Sequence, residues 1–300
     1  MYFPVADIQC HPLVPFAAAA LIAFFTSMGG VSGAVVLLPF QMSVLGYAHP
    51  SVSATNQIFN ILACPAGVWR YWREGRLLWP VAVIIAAGTL PGVFLGAFVR
   101  LRWLPDPSRF KLFAAAVLLF VGARLALSLG KRQPGPRGSA AGAGDLRIIS
   151  FDRRSLAFSF QGTDYAVATM PLVLLSLAVG LTGGIYGIGG GAIIAPFLVS
   201  FFGMPVYVTA GATLMATAFT SFSGVIFYSV LAAFHPEANA APDWLLGLII
   251  GAGGMLGMYW GARLQKHVPA RIIKIILACI LLGTALRYLS ESASLIFRTA

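Results

Sequence analysis

The sequence predicts an all-α integral membrane protein made of two homologous repeats, and three observations carry this prediction. The 300 residues are 59% hydrophobic and only 10% charged, with a mean hydropathy of +0.86, whereas soluble domains carry about a quarter charged residues. Long apolar stretches recur from end to end, and a glycine-rich segment occurs twice. This composition excludes an ordinary soluble domain.

Eight apolar stretches follow one another along the chain. Each holds about 20 residues or more, enough for a helix to cross the roughly 30 Å hydrocarbon core of a bilayer. They cover residues 13–46, 50–69, 78–99, 108–129, 166–202, 206–232, 244–262 and 272–290. All nine acidic residues lie outside these stretches or at their ends. We therefore expect a multi-pass protein whose membrane interior has no carboxylate.

The net charge of +11 has a topological explanation. The twenty Lys and Arg are expected in the segments that connect the apolar stretches, where the positive-inside rule places them. We therefore expect the lipid bilayer as a partner and no nucleic acid. The three cysteines have no paired spacing, so they predict neither a disulfide framework nor a metal site, and no cofactor is indicated. No basic stretch precedes the first apolar run, so we expect the first helix to be retained.

The chain contains one unit twice. GGVSGAVVLLPF at 29–40 aligns with YGIGGGAIIAPF at 186–197, and the glycines at 88, 92 and 96 align with those at 253, 257 and 261. Between the copies, GKRQPGPRGSAAGAG has the composition of a flexible, disordered linker. LRIISF and LAFSFQ then predict a short β-hairpin outside the bilayer. The expected division is a first repeat at 1–128, a cytoplasmic linker at 129–165 and a second repeat at 166–300.

The basic residues indicate how the first, glycine-broken segment of each repeat meets the bilayer. If each such segment crosses once, the Lys and Arg of the main connections divide nearly evenly between the two sides. If each instead enters and returns, as two half-length arms of about sixteen residues hinged at the glycines, thirteen lie in 70–76, 131–154 and 263–274, against four in 100–111. The positive-inside rule favours the uneven distribution. It also inverts the second repeat relative to the first, an arrangement typical of transporters.

The glycine clusters at 29–33 and 187–191 predict breaks in these segments, because each glycine costs a helix up to about 1 kcal/mol relative to alanine. The ladders at 88–96 and 253–261 instead predict close helix packing, since their glycines recur every fourth residue. Non-helical backbone at membrane depth is tolerated where it lines a cavity. Helices resuming after each break would present free N–H groups to that cavity, which suits an anion.

The helix after each break carries one polar stripe. Asn56 and Asn60 are four residues apart in the first repeat, and Thr213, Thr217 and Thr220 or Ser221 share a face in the second. Neutral donors on one face suit an oxyanion, although they would equally serve bonds between helices or back to helix carbonyls. We expect both stripes and both breaks to converge on one cavity near mid-membrane. The predicted substrate-binding residues are Gly29, Gly30, Ser32, Gly33, Asn56, Gln57, Asn60, Gly187, Gly189, Gly190, Gly191, Thr213 and Thr217.

Two copies of a Gly-rich, Pro-terminated segment, each followed by a Val-Ser/Thr-Ala helix, resemble the TauE/SafE family of membrane exporters. The likeness covers nearly the whole chain and is strongest at 27–62 and 180–225. The resemblance implies a bacterial inner-membrane permease that exports a small sulfur-containing anion, such as sulfite or a sulfonate like sulfoacetate. It does not fix which anion. The first copy is the poorer match, with Ser32 where the second has Gly189, which would make the site asymmetric.

Three other interpretations compete with a transporter. GVSG at 30–33 matches the nucleophile motif of rhomboid-type intramembrane serine proteases, but the four histidines lie near segment ends, so no base is placed to activate Ser32. Gly187, Gly189 and Ala192 match a dinucleotide fingerprint, but apolar sequence surrounds them where a soluble βαβ unit is required. A structural subunit without transport is a third class, although two dense glycine breaks are a poor way to build a scaffold. The sequence favours a transporter that is not an enzyme, and it leaves the oligomeric state open.

Overall fold

Helices dominate the computed structural model, which describes residues 1–127, 146–236 and 239–299. The first repeat contributes α1 (Leu13–Met28), α2 (Ala34–Ser43), α3 (Ser51–Arg73), α4 (Trp79–Trp103) and α5 (Pro107–Leu127). The second contributes α6 (Thr169–Tyr186), α7 (Ala195–Ser200), α8 (Val206–Phe234), α9 (Trp244–Leu264) and α10 (Ala270–Thr299). In each half, two helices separated by an irregular segment precede three long helices.

Six of the described helices are long and apolar enough to cross a membrane, namely α4, α5, α6, α8, α9 and α10. α1 and α2 are shorter apolar helices. α3 has 23 residues but is less hydrophobic, because Asn56, Gln57 and Asn60 lie within it. The predicted class, an all-α multi-pass membrane protein, is confirmed.

Two seams of small residues hold α4 against α6 and α9 against α1. The seam glycines are Gly88, Gly92 and Gly96 on α4, and Gly253, Gly257 and Gly261 on α9. A Cβ added at Gly92 would lie 2.5 Å from the carbonyl oxygen of Leu177, and one added at Gly257 would overlap the carbonyl oxygen of Ala20. Leu177 and Ala20 occupy equivalent positions in the two repeats, because they are 157 residues apart, the same separation as between the aligned segments 29–40 and 186–197. The close packing predicted for the glycine ladders is confirmed.

Where a helix meets its counterpart from the other repeat, the two run in opposite directions. α3 lies against α8 so that Gln57 faces Gly224 while Gly67 faces Leu214. α5 lies against α10 in the same manner. Lys111, near the start of α5, forms an ion pair with Glu291, far along α10, with 3.0 Å between Nζ and Oε2. Both counterpart pairs are therefore antiparallel.

Two polar clusters mark the two ends of the helical bundle. At the Asp243 end, the Asp243 carboxylate accepts from the backbone N–H of Ala6 (3.1 Å), and the Asp243 N–H donates to Thr55 Oγ1 (2.8 Å). At the Gln265 end, Gln265 Nε2 donates to the carbonyl of Met28 (2.6 Å) and Gln265 Oε1 accepts from Arg76 Nη1 (2.7 Å). These bonds fix which parts of the chain lie at the same end.

The first broken segment begins and finishes at the Asp243 end. A small antiparallel hairpin, β1 (Tyr2–Phe3) with β2 (Ile8–Gln9), precedes α1 and contains Ala6 in its turn. α1 then runs to Met28 at the Gln265 end, and the chain is back at the Asp243 end when α3 starts. There the N–H of Ser51 donates to the carbonyl of Asn239 (3.0 Å).

The arms of the two broken segments are unequal. α1 has 16 residues and α6 has 18, whereas α2 has 10 and α7 has 6. The prediction of two half-length arms of about sixteen residues is therefore wrong. In the second repeat the consecutive glycines at 189–191 delay the helix until Ala195, because glycine disfavours helical backbone. The six-residue α7 is too short for the helix-dipole argument made from the sequence.

A three-stranded antiparallel sheet precedes α6. Its strands are β3 (Leu146–Phe151), β4 (Ser155–Phe160) and β5 (Thr163–Ala168), in that order across the sheet. The sequence predicted two strands; the third forms because Gln161 and Gly162 make a two-residue turn with positive φ (52° and 72°). The Phe151 ring contacts Trp79, at the start of α4 (5.9 Å between centroids). The predicted disordered linker falls at 130–144, outside the described residues.

Candidate functional site

Irregular backbone separates the paired helices at the start of each repeat. Residues 29–33 lie between α1 and α2, and residues 187–194 lie between α6 and α7. The aligned residues Gly30 and Gly187 have φ of 71° and 78°, a left-handed conformation that side chains disfavour. The first break and the second break, as we call these two segments, therefore share a left-handed residue at this position, although Gly189 also has positive φ (75°) and its counterpart Ser32 does not.

Asn60, in the first half of α3, joins the two breaks. Its Nδ2 donates to the carbonyl of Ile188 in the second break (2.8 Å) and to Ser221 Oγ on α8 (3.0 Å). Its Oδ1 accepts a hydrogen bond from Ser32 Oγ in the first break. These four residues form the central cluster, and all of them are fully buried. One side chain thus links both breaks and both stripe-bearing helices, which the sequence expected to converge.

The second break fits tightly between α4 and α8. A Cβ added at Gly190 would overlap the side chain of Thr89 on α4, and one added at Gly191 would lie 2.5 Å from the carbonyl oxygen of Thr213 on α8. The Gly190 N–H donates to Thr220 Oγ1 (3.0 Å). Space alone therefore requires glycine at these two positions.

Several buried donors close to the central cluster in sequence and space have no hydrogen-bond partner within the described ranges. They are Gln57 Nε2 and the backbone N–H groups of Ser32, Gly33, Gly189 and Gly191; the acceptor Gln57 Oε1 is buried without a partner as well. Unpaired buried N–H groups are rare in proteins and call for a specific explanation. A ligand that accepts hydrogen bonds, such as an oxyanion, would satisfy the N–H donors, whereas Gln57 Oε1 requires a donor of its own.

Asn56, one turn before Asn60, is already held by the protein. Its Nδ2 donates to the carbonyl of Ala34 (2.9 Å), and its Oδ1 accepts from Gln41 Nε2 (3.2 Å). Both bonds go to α2, so in this structure Asn56 fastens α2 to α3. The four-residue spacing of Asn56 and Asn60 therefore places them on one face of α3 but does not show that their surroundings differ.

The predicted threonines also use their donors within the protein. Thr213 Oγ1 donates to the carbonyl of Gly30 (2.8 Å), and Thr217 Oγ1 donates to the carbonyl of Thr213 (2.8 Å). A hydroxyl has one donor, so an engaged threonine presents only lone pairs. To bind an anion, Thr213 and Thr217 would have to rotate away from these carbonyls.

The first break also packs against α10, because a Cβ added at Gly29 would overlap Leu277 on that helix. The predicted cavity is closed in this structure, since Ser32, Asn60 and Ser221 are each 0% exposed. Ser32 donates to an amide oxygen, which is not a base, so its hydroxyl is not activated as a protease nucleophile would be.

The burial of Arg100 was not predicted from the sequence. The sequence predicts this residue in the connection at 100–111, but α4 continues to Trp103 and Arg100 is 0% exposed. The spacing could have indicated this burial, because residue 100 follows the glycines at 88, 92 and 96 at the same four-residue interval and so lies on the same helix face. Ser221 and Thr89, which were not among the predicted ligands, also contact the breaks.

Comparison with known proteins gives a consistent result. A family model described as sulfite exporter TauE/SafE matches residues 15–288. A probable membrane transporter protein of Xylella fastidiosa (strain Temecula1 / ATCC 700964) is 26% identical over 274 residues, covering 89% of this chain and 92% of that protein. The probable membrane transporter protein ORF9 of a Sinorhizobium species is 27% identical over 294 residues, or 95% of each chain. The probable membrane transporter protein YunE of Bacillus subtilis (strain 168) is 24% identical over 275 residues, covering 87% and 92%. No solved structure matches the chain significantly.

Proposed function

The chain belongs to the TauE/SafE family of sulfite exporters, and on that premise we propose that it exports a small sulfur oxyanion, sulfite or a sulfonate such as sulfoacetate, across the bacterial inner membrane. The anion binds where the two breaks meet. The observation that carries this proposal is Asn60, whose amide bonds Ser32 in one break and Ile188 in the other. A movement of either break would change this junction directly.

The chemistry around the central cluster supports an anion. The unpaired donors of Gln57, Gly33 and Gly189 are neutral N–H groups, which stabilise negative charge without a fixed counter-charge. The carboxylate of Asp243 lies at one end of the bundle, and that of Glu74 lies at the other, held by Arg76 and by Arg70 (2.5 Å to Arg70 Nη2). Carboxylates at the bundle ends leave the centre free of like charge.

We further propose that the two repeats, residues 1–128 and 166–300, have inverted topology. The antiparallel contacts of α3 with α8 and of α5 with α10 support this, because a two-fold axis that reverses a helix lies perpendicular to it. The first broken segment starts and finishes at the Asp243 end. In the second, α6 runs beside α4 away from the Gln265 end, and α8 starts at that end, where Tyr207 Oη donates to the Val268 carbonyl (3.4 Å).

The positive-inside rule then places the Gln265 end in the cytoplasm and the Asp243 end outside. We expect a membrane-impermeant thiol reagent to label Arg102→Cys on intact cells and to label Arg153→Cys only after lysis. Both positions are exposed, and Cys10 and Cys279 would first be replaced by serine. Equal labelling of the two positions on intact cells would contradict the inverted topology.

Export by this route needs no coupling ion. The apolar spans contain no Asp, Glu or His that could form a proton relay along the path. A potential that is negative inside already drives anions outward by about 2.3 kcal/mol per charge per 100 mV. For a divalent anion this supports export against a concentration ratio on the order of a few thousand. We therefore propose electrogenic, voltage-driven efflux.

Flux from proteoliposomes tests this proposal. Vesicles loaded with labelled sulfite, sulfoacetate, thiosulfate or sulfate would be clamped at a set potential with valinomycin and potassium, at equal pH on both sides. We expect flux of at least one sulfur oxyanion that rises with the outward driving potential. Flux that ignores voltage and needs a proton or sodium gradient would overturn the voltage-driven mechanism. Absence of flux for all four anions would overturn the proposed substrate class and favour a structural subunit.

A further inference from the structure

Arg100 is a buried cation with unused hydrogen-bonding capacity. Its side chain is 0% exposed, and its Nη1 donates to the carbonyl of Leu104 at the end of the same helix. Its Nε and Nη2 are buried and have no partner in the described ranges. The guanidinium lies over the ring of Phe110, with 3.8 Å between its central carbon and the ring centroid. One face is therefore covered by an aromatic ring while two N–H-bearing atoms stay unpaired.

A charge in this setting is costly unless an opposite charge meets it. Burying an unpaired cation costs several kcal/mol, and such residues in membrane proteins are retained for function. Arg100 makes no direct ion pair within the described ranges, although the negative charge of Asp106 acts on it from a distance. The carboxylate of the neighbouring Asp106 instead accepts from the backbone N–H of Arg109 (2.9 Å). No carboxylate in the described ranges therefore contacts Nε or Nη2, so these two atoms can accept a direct partner.

The other repeat shows that the fold does not need a cation at this position. Gln265 is the counterpart of Arg100 in the second repeat, because each lies four residues after an aligned glycine, Gly261 and Gly96. Gln265 uses both ends of its neutral amide, bonding Met28 and Arg76. The seam on α9 is thus followed by a glutamine whose amide is hydrogen-bonded at both ends, and the seam on α4 by an arginine with two unpaired nitrogen atoms.

Packing contacts connect Arg100 to the central cluster. Ala97, one turn before it, packs with Ala54 and Tyr228 near the Asp243 end. Phe110, which covers the guanidinium, also contacts the ring of Tyr186 (6.1 Å between centroids). Tyr186 ends α6, and two residues later the carbonyl of Ile188 accepts from Asn60. A chain of direct contacts thus joins Arg100 to the second break.

We propose that Arg100 is a second anion-binding residue, which receives the sulfur oxyanion between the central cluster and the Asp243 end of the bundle. This inference rests on the proposed function and adds a second binding site along the transport path. Nε and Nη2 supply two charge-assisted donors in a fixed fork, the geometry that suits two oxygens of one oxyanion. Both atoms are buried in this structure, so an anion reaches them only after the residues that cover them move apart.

Anion-dependent thermal stabilisation tests the inference on the full-length protein in detergent. The melting temperature would be measured in potassium gluconate with increasing sodium sulfite or sodium sulfate, for wild type, Arg100→Gln and Arg100→Lys. Arg102→Gln is the matched control, because it removes the same charge from an exposed position on the same helix. We expect Arg100→Gln to weaken the apparent affinity at least about tenfold, since two charge-assisted bonds are lost. Arg100→Lys keeps the charge but not the fork, so it should fall in between.

Without the oxyanion, Arg100→Gln should melt no lower than wild type, because an uncompensated buried charge has been removed. A lower melting temperature with an unchanged response to sulfite and sulfate would overturn the inference and assign Arg100 a structural role. A wild-type protein that neither anion stabilises would overturn it as well. Failure of the proposed function looks different: wild type would show no sulfur oxyanion flux while the Arg100-dependent stabilisation persisted.

Discussion

Replacing Asn60 with leucine is expected to reduce flux of the proposed sulfur oxyanion in proteoliposomes to below about a tenth of the wild-type rate. The change removes the amide that donates to Ile188 and Ser221 and accepts from Ser32. Each lost bond leaves a buried polar group unpaired, which costs about 1–3 kcal/mol. The two breaks would lose their common fixed point, so the site between them would no longer hold its geometry.

Asn56→Leu provides the matched control for Asn60→Leu. Asn56 lies one turn away on the same helix and is equally buried, and among the described residues its side chain bonds only to Ala34 and Gln41 on α2. We expect Asn56→Leu to lower the melting temperature while retaining measurable flux. Equal flux in the two variants, at equal amounts of folded protein, would show that the junction at Asn60 has no special part in transport.

Replacing Gly257 with alanine is expected to destabilise the protein by about 3 kcal/mol, the upper part of the range for overpacked sites. The added Cβ would overlap the carbonyl oxygen of Ala20 and lie 2.9 Å from the backbone nitrogen of Phe24. Both atoms belong to the main chain of α1, so α1 has to move away from α9 as a whole. Thermal unfolding of the purified protein in detergent measures the effect.

Gly283→Ala on α10 is the control, because no atom of the described part of the chain lies within 4 Å of the Cβ it adds. Its helix propensity improves by up to about 1 kcal/mol, so its melting temperature should stay level or rise. Gly92→Ala, in the equivalent seam, should behave like Gly257→Ala, since its Cβ would lie 2.5 Å from the Leu177 carbonyl oxygen. Similar melting temperatures for Gly257→Ala and Gly283→Ala would refute the packing role of the seam.

The internal repeat explains why much of the arrangement was predictable. The alignment of 29–40 with 186–197 places Gly30 beside Gly187, and both have positive φ in the structure. The ladders at 88–96 and 253–261 predicted close packing, and both meet a helix backbone. These properties depend on residue type and local spacing, which the sequence displays directly.

The lengths of the arms were harder to predict, because hydropathy does not show where a helix resumes after a break. The sequence treated 13–46 and 166–202 as two equal arms each, whereas the structure gives each a long arm and a short one. In the second repeat, Gly190 and Gly191 are held against Thr89 and α8. Contacts with other helices, together with the low helix propensity of these glycines, decide how far the irregular backbone extends.

Composition and residue spacing predict the membrane class, the duplication, the glycine seams and a polar stripe on α3. Contacts between distant helices reveal that Asn60 joins the two breaks while Asn56 fastens α2, and that Arg100 is buried with unpaired donors. Periodicity shows which residues share a face of one helix, but partners on that face come from helices far away in sequence. Their relative register is set by how closely the backbones approach at the seams, which no local pattern contains.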